Sequence, residues 1–249
     1  MTTDRSQLVY PGESLDDLIL GGMKVIQARQ GYRFSLDAVI LAHFARLDGV
    51  ANAVDLGTGS GVIPLLLALR DENIHITGIE IQDEAAERAC RSVSYNGLSE
   101  RIRIIQADMK DISQYLPAGQ AQLVLSNPPF WKKGEGHVSQ DPAAALSRHE
   151  IAVDLKGVVE AASYLLSPRG HFCFIHRTER LQEIIVALSA SRLKLTRMRT
   201  VHSFPHEESR LVLLEAQKNG RKSLQILPPL FIYESPGNYG VEIRQWYGS

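Results

Sequence analysis

Two short stretches of this chain carry residue types that could do chemistry at a spacing a fold can use. The first is Val54-Asp55-Leu56-Gly57-Thr58-Gly59-Ser60-Gly61-Val62. An apolar run closes on an acid, passes glycine at three alternate positions, and leaves into Val62-Ile63-Pro64-Leu65-Leu66-Leu67. The pattern reads as strand, tight turn and helix. Glycine lets the backbone come close to a ligand, and a helix N-terminus offers unpaired N–H donors. The second stretch is Ser126-Asn127-Pro128-Pro129-Phe130, directly after the apolar run Ala121 to Leu125. Its two prolines fix the backbone and so orient the Asn127 amide and the Pro128 carbonyl. Two such oxygens can accept both hydrogens of an exocyclic NH₂. Held that way, the nitrogen is driven towards a pyramidal geometry, and its lone pair points at an electrophile instead of spreading into the ring. No strong base is needed, because the proton can leave after transfer. Catalysis is then mostly orientation, which supplies roughly 7–11 kcal/mol in favourable cases. Phe130 offers a face on which a base can stack, worth about 1–3 kcal/mol.

These stretches need elements that bring them together. From Ala53 onward strands and helices alternate. Strands are expected at Ala53–Leu56, Ile74–Glu80, Ile102–Ala107, Ala121–Ser126 and Gly170–His176, and helices at Gly61–Arg70, Asp83–Asn96 and Asp154–Leu166. Residues 178–190 form a further helix, and Leu193–Val201 with Arg210–Gln217 a closing antiparallel pair. Repeated βα units imply a parallel sheet with helices on both faces, and the carboxyl ends of its strands line a binding crevice. Both stretches are expected at that edge. Ahead of Ala53, Leu18 to Gln27 looks like a hairpin turning at Gly21-Gly22, and residues 1–17 read as polar and loose. Ser35 is the expected N-cap of a helix with an apolar stripe of Ala38, Ile40, Leu41, Phe44 and Ala45. The chain thus divides into an N-terminal extension with a β-hairpin, 1–35, and a main domain, 36–249. Residues 131–150 are the longest irregular stretch, and long loops in compact domains are usually functional.

Composition narrows the class. With 44% hydrophobic and 22% charged residues the chain reads as an ordinary soluble globular protein. Its net charge of −1 is uneven: residues 1–125 carry 11 Lys+Arg against 16 Asp+Glu, a net of −5, and residues 126–249 carry 16 against 12, a net of +4. The basic half begins at the Asn-Pro-Pro-Phe stretch, a mild sign of an anionic partner. Cys90 and Cys173 have no paired spacing and sit in apolar patterns, so both are expected to be buried free thiols. The eight histidines show no ligand spacing with Cys or Asp, and no metal is expected. No signal-peptide core and no apolar run of membrane-spanning length are found, so a cytoplasmic protein with no membrane partner is expected.

The glycine turn could serve a dinucleotide, but its spacing is not G-x-G-x-x-G. It resembles the cofactor loop of class I S-adenosylmethionine-dependent methyltransferases. That resemblance implies a Rossmann-like α/β fold: a mostly parallel seven-stranded sheet with an antiparallel C-terminal strand pair and helices on both faces. Gly57, Thr58, Gly59 and Gly61 would then form the cofactor turn, with Asp55 positioning the amino-acid end of S-adenosylmethionine. Glu80 ends the second strand, where a carboxylate can accept from both ribose hydroxyls. Asp108 follows the third, where the family often accepts from the adenine amino group, and Ile81 and Met109 can sandwich the adenine. Asn127 would face the methyl group. In related enzymes the segment before the first strand lies over the methionine end, where Arg33 can meet its carboxylate. Asp37 could act there or simply favour its own helix dipole. A strand-end acid can equally be a helix cap, and a glycine-rich turn can be purely structural.

Asn-Pro-Pro-aromatic resembles the motif of enzymes that methylate adenine N6, cytosine N4, guanine N2 or the glutamine side-chain amide. The whole chain resembles the bacterial tRNA adenine-N6 methyltransferase family that acts beside the anticodon of a valine tRNA. The likeness covers almost the full length. It is carried by the hairpin ending in Gln27, Gly31-Tyr32-Arg33-Phe34-Ser35-Leu36-Asp37-Ala38, the glycine loop and Asn127-Pro128-Pro129-Phe130. Ser147-Arg148-His149-Glu150 and Leu227-Pro228-Pro229-Leu230 add to it. The resemblance implies methyl transfer to N6 of adenosine 37. An RNA substrate fits Lys132, Lys133 and Arg148 as phosphate contacts around a flipped base. Arg177, Arg180, Arg192, Lys194, Arg197, Arg199, Arg210, Lys218, Arg221 and Lys222 could extend that surface or be a solvated face. The rivals are protein glutamine, ribosomal RNA guanine-N2 and DNA adenine methyltransferases, and a non-enzymatic RNA-binding protein that keeps the cofactor fold.

Overall fold

The computed structural model describes residues 5–18, 21–30, 33–128 and 155–247. Pro129, Phe130, Lys132, Lys133 and Arg148 therefore lie outside the described residues.

The chain begins with a 3-10 turn, Arg5–Leu8, followed by strands β1 (Glu13–Asp17) and β2 (Lys24–Ala28), an antiparallel hairpin in which Asp17 pairs with Lys24. Gly21 and Gly22 lie in its turn at φ 58° and 71°, a conformation that costs glycine nothing. The reading of residues 1–17 as loose is thereby corrected for 5–17, residues 1–4 lying outside the described residues. Glu-Ser-Leu-Asp-Asp has little strand propensity, and tertiary contacts override it. They come from helix α3 (Asp83–Tyr95). The Arg91 guanidinium donates to both carboxylate oxygens of Glu13 at 2.6 and 2.7 Å, and to Glu87. It also stacks 4.0 Å from the Tyr10 ring centroid. Ser92 Oγ accepts from Ile26 N at 2.9 Å, and the Asn96 amide makes two bonds to the backbone of Lys24.

The remaining elements are α1 (Leu36–Phe44), β3 (Asn52–Leu56), α2 (Val62–Arg70), β4 (His75–Glu80), β5 (Ile102–Gln106) and β6 (Ala121–Ser126). These are followed by α4 (Leu155–Leu165), β7 (Leu166–Arg177), α5 (Leu181–Ala190), β8 (Leu193–His202) and β9 (Leu211–Lys218). Beyond them the sequence shows little periodicity, yet short elements continue: β10 (Gln225–Ile226), β11 (Leu230–Phe231), the hairpin β12 (Tyr233–Ser235) and β13 (Asn238–Tyr239), and α6 (Val241–Trp246). The main sheet runs β10-β8-β9-β7-β6-β3-β4-β5, with β11 also on β8. Strands β3 to β7 are parallel, and β9 is antiparallel to both β7 and β8. The expected seven strands are thus β3 to β9, while β10 and β11 cover the β8 edge. Arg199 ties that cover down, donating to Pro228 O at 2.9 Å and forming a two-point ion pair with Glu242 at 2.6 Å.

Alternation along the strands splits the core into two layers. Ala53, Leu123, Leu125, Cys173, Ile175 and Leu213 pack against α1, α2 and α3. Val54, Leu56, Val124, Phe172, Phe174 and Leu214 face the other way, onto α4 and α5. Cys173 is buried as expected, but Cys90 is exposed: it lies on the solvent side of α3, whose buried face is Ala85, Ala86, Ala89 and Val93. Among the described residues no helix is long and apolar enough to cross a membrane.

Candidate active site

Strand register decides what can meet at the carboxyl edge. Leu56 pairs with Ile79 on one side and Ser126 on the other, and Glu80 pairs with Gln106. Strands β3, β4, β5 and β6 therefore end together. The glycine turn, Glu80-Ile81, Asp108-Met109 and Asn127-Pro128 all leave from that one edge. Ser126 Oγ, buried, donates to Leu56 O at 2.8 Å and locks the two motif-bearing strands together just before Asn127. The hydroxyl sits within the motif itself, yet its cross-strand role is visible only once the register is known.

The turn after β3 is built by its glycines. Gly57, Gly59 and Gly61 lie at φ 77°, 56° and 84°, in the left-handed region that side chains disfavour by about 1–2 kcal/mol. Gly57 N and Thr58 N both donate to Ile79 O, at 2.8 and 3.0 Å, and Gly59 N donates to Glu80 Oε2 at 2.8 Å. A Cβ on Gly57 or Gly59 would meet no atom of the described residues within 4 Å. There the glycines are required by conformation, and the space beside them is left open to a ligand. Gly61 is different, since it precedes α2 and its added Cβ would stand 3.4 Å from Ala89 Cβ of α3.

Asp55 is fully buried, and among the described residues neither of its oxygens, nor Thr58 Oγ1, makes a hydrogen bond of good geometry. Burial pushes the Asp55 carboxyl up to about 7; the nearby Thr58 hydroxyl opposes this and the charge of Glu80 adds to it. Leaving a buried carboxylate unsatisfied costs several kcal/mol if it stays ionised. A ligand with N–H or O–H donors, above all a cationic one, would supply such a partner. The orphaned acid and the open glycine cradle together fit the amino-acid end of S-adenosylmethionine. Glu80 is 6% exposed and accepts Gly59 N and Gln82 N through its two oxygens, the latter at 3.0 Å. A carboxylate has about four acceptor sites, so it can shape the turn and still receive ribose hydroxyls.

Asp108 caps the 3-10 turn Met109–Gln114, accepting Lys110 N at 2.9 Å through Oδ1. The cap reading of this strand-end acid holds, and the cap occupies one of its two oxygens. Ile81 is 49% exposed, while Met109 is half-buried against the second core layer. Arg33 lies apart from this set in its bonding, because it ion-pairs with Asp16 of the hairpin. Gln27 joins the same network, donating to Asp16 and accepting Phe34 N at 2.7 Å. Asp37 is raised by burial. Gly78, on β4, was not singled out from the sequence. A Cβ there would stand 2.9 Å from Thr58 Oγ1 and 2.8 Å from Ile104 Cδ1. Glycine at this point makes room for the turn, but a strand glycine carries no local mark of such a role.

The basic residues after 176 do not form one surface. Arg197 is buried, bonded to Glu215 at 2.7 Å and to Phe44 O at 2.6 Å. Arg199 holds the C-terminal segment, Arg180 pairs with Glu183, and Lys218 donates to Ser163 O and Leu166 O at the end of α4. Arg192, Lys194, Arg221 and Lys222 are exposed at the opposite end of the sheet, and at the carboxyl edge Arg210 is exposed while Arg177 pairs with Glu179 at 3.3 Å.

A parallel sheet in this order, with a cradle and an orphaned acid at its carboxyl edge, is the arrangement of a class I S-adenosylmethionine-dependent methyltransferase. Solved structures agree on the fold. A predicted O-methyltransferase from Agrobacterium tumefaciens superposes with a TM-score of 0.68 at 24% identity, covering 85% of this chain and 95% of its own. A geranyl diphosphate methyltransferase in complex with sinefungin gives 0.52 at 14% identity, covering 73% and 77%. The family model for the methyltransferase small domain matches residues 37–179, and the chain belongs to that family. Its curated relatives include proteins named tRNA1(Val) (adenine(37)-N6)-methyltransferase. That of Porphyromonas gingivalis is 33% identical over 74% of this chain and 73% of its own. That of Aeromonas hydrophila is 27% identical over 85% and 86%. S-adenosylmethionine is accordingly the cofactor, and it supplies an electrophilic methyl group.

Proposed function

We propose that this enzyme transfers a methyl group from S-adenosylmethionine to N6 of adenosine 37 in a valine tRNA. The observation that carries the chemistry is the register: Leu56 opposite Ser126 sets Asn127 directly beside the glycine turn. The substrate is supported by relatives of that name, which this chain matches over most of its length. A tRNA substrate also supports a cytoplasmic enzyme.

In this reading each residue has a defined task. Asp55 and Thr58 take the donors of the cofactor's amino-acid end, which their buried, unpartnered oxygens are ready to accept. Glu80 receives the ribose, while Asp108, Ile81 and Met109 surround the adenine. The Asn127 side chain and the Pro128 carbonyl accept the two N6 hydrogens and hold the nitrogen lone pair towards the methyl group, with Pro129 stiffening the turn. Phe130 stacks on the target base. Lys132, Lys133 and Arg148 follow the flanking phosphates. Arg33, held in place by Asp16, meets the cofactor's carboxylate with its remaining N–H donors.

The test is methyl transfer from labelled S-adenosylmethionine into RNA from a strain lacking the protein, followed by nucleoside mass spectrometry with a protein fraction alongside. The expected label is N6-methyladenosine in tRNA. Label in N2-methylguanosine or in protein would overturn the substrate. Asn127→Ala should lower turnover at least about 100-fold, the cost of a misplaced reactant, while cofactor binding stays near normal. Near-normal turnover in that variant would refute the amine-orienting mechanism.

A further inference from the structure

At the carboxyl edge, beyond the cofactor cradle, four aromatic rings form a continuous run. Phe204 and Tyr233 have centroids 5.5 Å apart, Tyr233 and Tyr239 stack at 5.2 Å with planes 13° apart, and Tyr239 meets Tyr247 at 6.0 Å. Tyr239 is 40% exposed, and Phe204 and Tyr233 are half-buried. None of these three belongs to either apolar core layer.

Topology puts this run on the same side of the sheet as Asn127. β8 is antiparallel to β9, which is antiparallel to β7, and β7 is parallel to β6. The end of β8 therefore points the same way as the end of β6, and Phe204 lies two residues past it. Tyr233 is held there because its N–H donates to Ser203 O at 2.9 Å. The loop between β8 and β9 is itself fastened to the end of β7. Thr178 N donates to Arg210 O at 3.0 Å, and the hydroxyls of Thr178 and Ser209 are 3.1 Å apart. Three strand spacings separate β6 from β8, roughly 14 Å at about 4.8 Å each. That separation is too great for the ladder to hold the methylated base, but it suits a nucleotide flanking it.

We propose that the ladder Phe204–Tyr233–Tyr239–Tyr247 is a stacking platform for an unpaired RNA base near the methylated adenosine. The proposal rests on the reading of RNA as the substrate. A base offers a planar face whatever its sequence, and solvent-accessible aromatic rings are the usual means of holding one. An adenosine in an anticodon loop is flanked by other unpaired bases, and the ladder continues the edge on which that adenosine would bind. Phosphate attraction contributes little here: residues 203–210 carry Glu207, Glu208 and Arg210, a net of −1. The contact is therefore expected to be nearly independent of salt, unlike contacts made by Lys or Arg.

The test uses the full-length protein and a tRNA anticodon stem-loop. Tyr239→Leu should raise the KM for RNA roughly 5- to 100-fold, as loss of a stacked base would. The KM for S-adenosylmethionine and the thermal midpoint should stay near those of the parent protein, and the RNA effect should be alike at low and high salt. Tyr239→Phe should restore RNA affinity, because stacking needs the ring and not the hydroxyl. Stem-loops with 2-aminopurine at each unpaired position should show quenching on binding at one flanking position, lost in Tyr239→Leu. An unchanged KM for RNA in Tyr239→Leu, or a strongly salt-dependent effect, would overturn the proposal while leaving methyl transfer to RNA intact. Failure of the parent protein to methylate any RNA would instead remove the substrate reading beneath it.

Discussion

Asp55→Asn should make this protein more stable and less able to bind its cofactor. Asp55 has no exposure and, among the described residues, no hydrogen bond of good geometry, and burial raises its carboxyl from 3.8 to about 7. Its folded pKa lies above its unfolded one, so between those values the folded state holds a proton that the unfolded state has lost. Stability then falls as pH rises through that window and levels off above about 7. A rise of about three units at 1.36 kcal/mol each sets an upper bound of about 4 kcal/mol for the penalty at pH 8. Asparagine has the same shape and no charge to desolvate. The two proteins should therefore match near pH 4 and diverge with increasing pH, with the variant more stable by up to that amount. Denaturant unfolding of both proteins without cofactor, at several pH values from 4 to 8, gives the difference curve directly, since every other titrating group cancels. Cofactor affinity should move the opposite way. Losing a charged acceptor costs about 1.5–3 kcal/mol, or roughly 10- to 150-fold in Kd by equilibrium dialysis. In the parent protein the same affinity should improve up to about pH 7 and then level off, because binding a cation there displaces the proton. A flat difference curve, or a variant less stable at pH 8, would refute the idea that this acid is held at a cost for the ligand.

Other consequences follow from the same contacts. Gly78→Ala forces a methyl to within 2.9 Å of Thr58 and 2.8 Å of Ile104. It should cost about 1–3 kcal/mol of stability, and less of that loss should be recovered on adding S-adenosylmethionine than in the parent, read as the ligand-induced shift in Tm. Arg91→Ala strips the guanidinium from Glu13, whose side chain is 9% exposed, and should cost about 3–5 kcal/mol. The Arg91 hydrogen bond holds the Glu13 carboxyl below its usual range, so that stabilisation is full above about pH 4.5 and fades as pH falls through the lowered value. Unfolding curves of the parent and Arg91→Ala should accordingly converge in acid.

What could be seen in the sequence was what local spacing encodes. Three glycines at alternate positions can only mean repeated positive φ or close approach, and both are found at Gly57, Gly59 and Gly61. The continuous apolar run Leu123-Val124-Leu125 marks a strand buried on both faces, and those residues do divide between the two core layers. What stayed hidden depends on partners far away in sequence. Arg33 looks like a free cation until Asp16 stands beside it, 17 residues earlier. Arg197 and Arg199 look like surface charges until Glu215 and Glu242 take them. Glu13–Asp17 carries an acid at its start that Arg91, 78 residues on, neutralises. Cys90 is exposed because the apolar stripe of α3 turns the other way. The aromatic ladder is the strongest case. Phe204, Tyr233, Tyr239 and Tyr247 follow no period, and the strands and helix between them are too short to carry one. Only the return of the chain along the β8 edge stacks them, and it does so at the end of the sheet that holds Asn127. Motifs for chemistry are compact in sequence because their geometry is local. Surfaces that choose a substrate are assembled by topology, and so they leave no comparable trace in the order of residues.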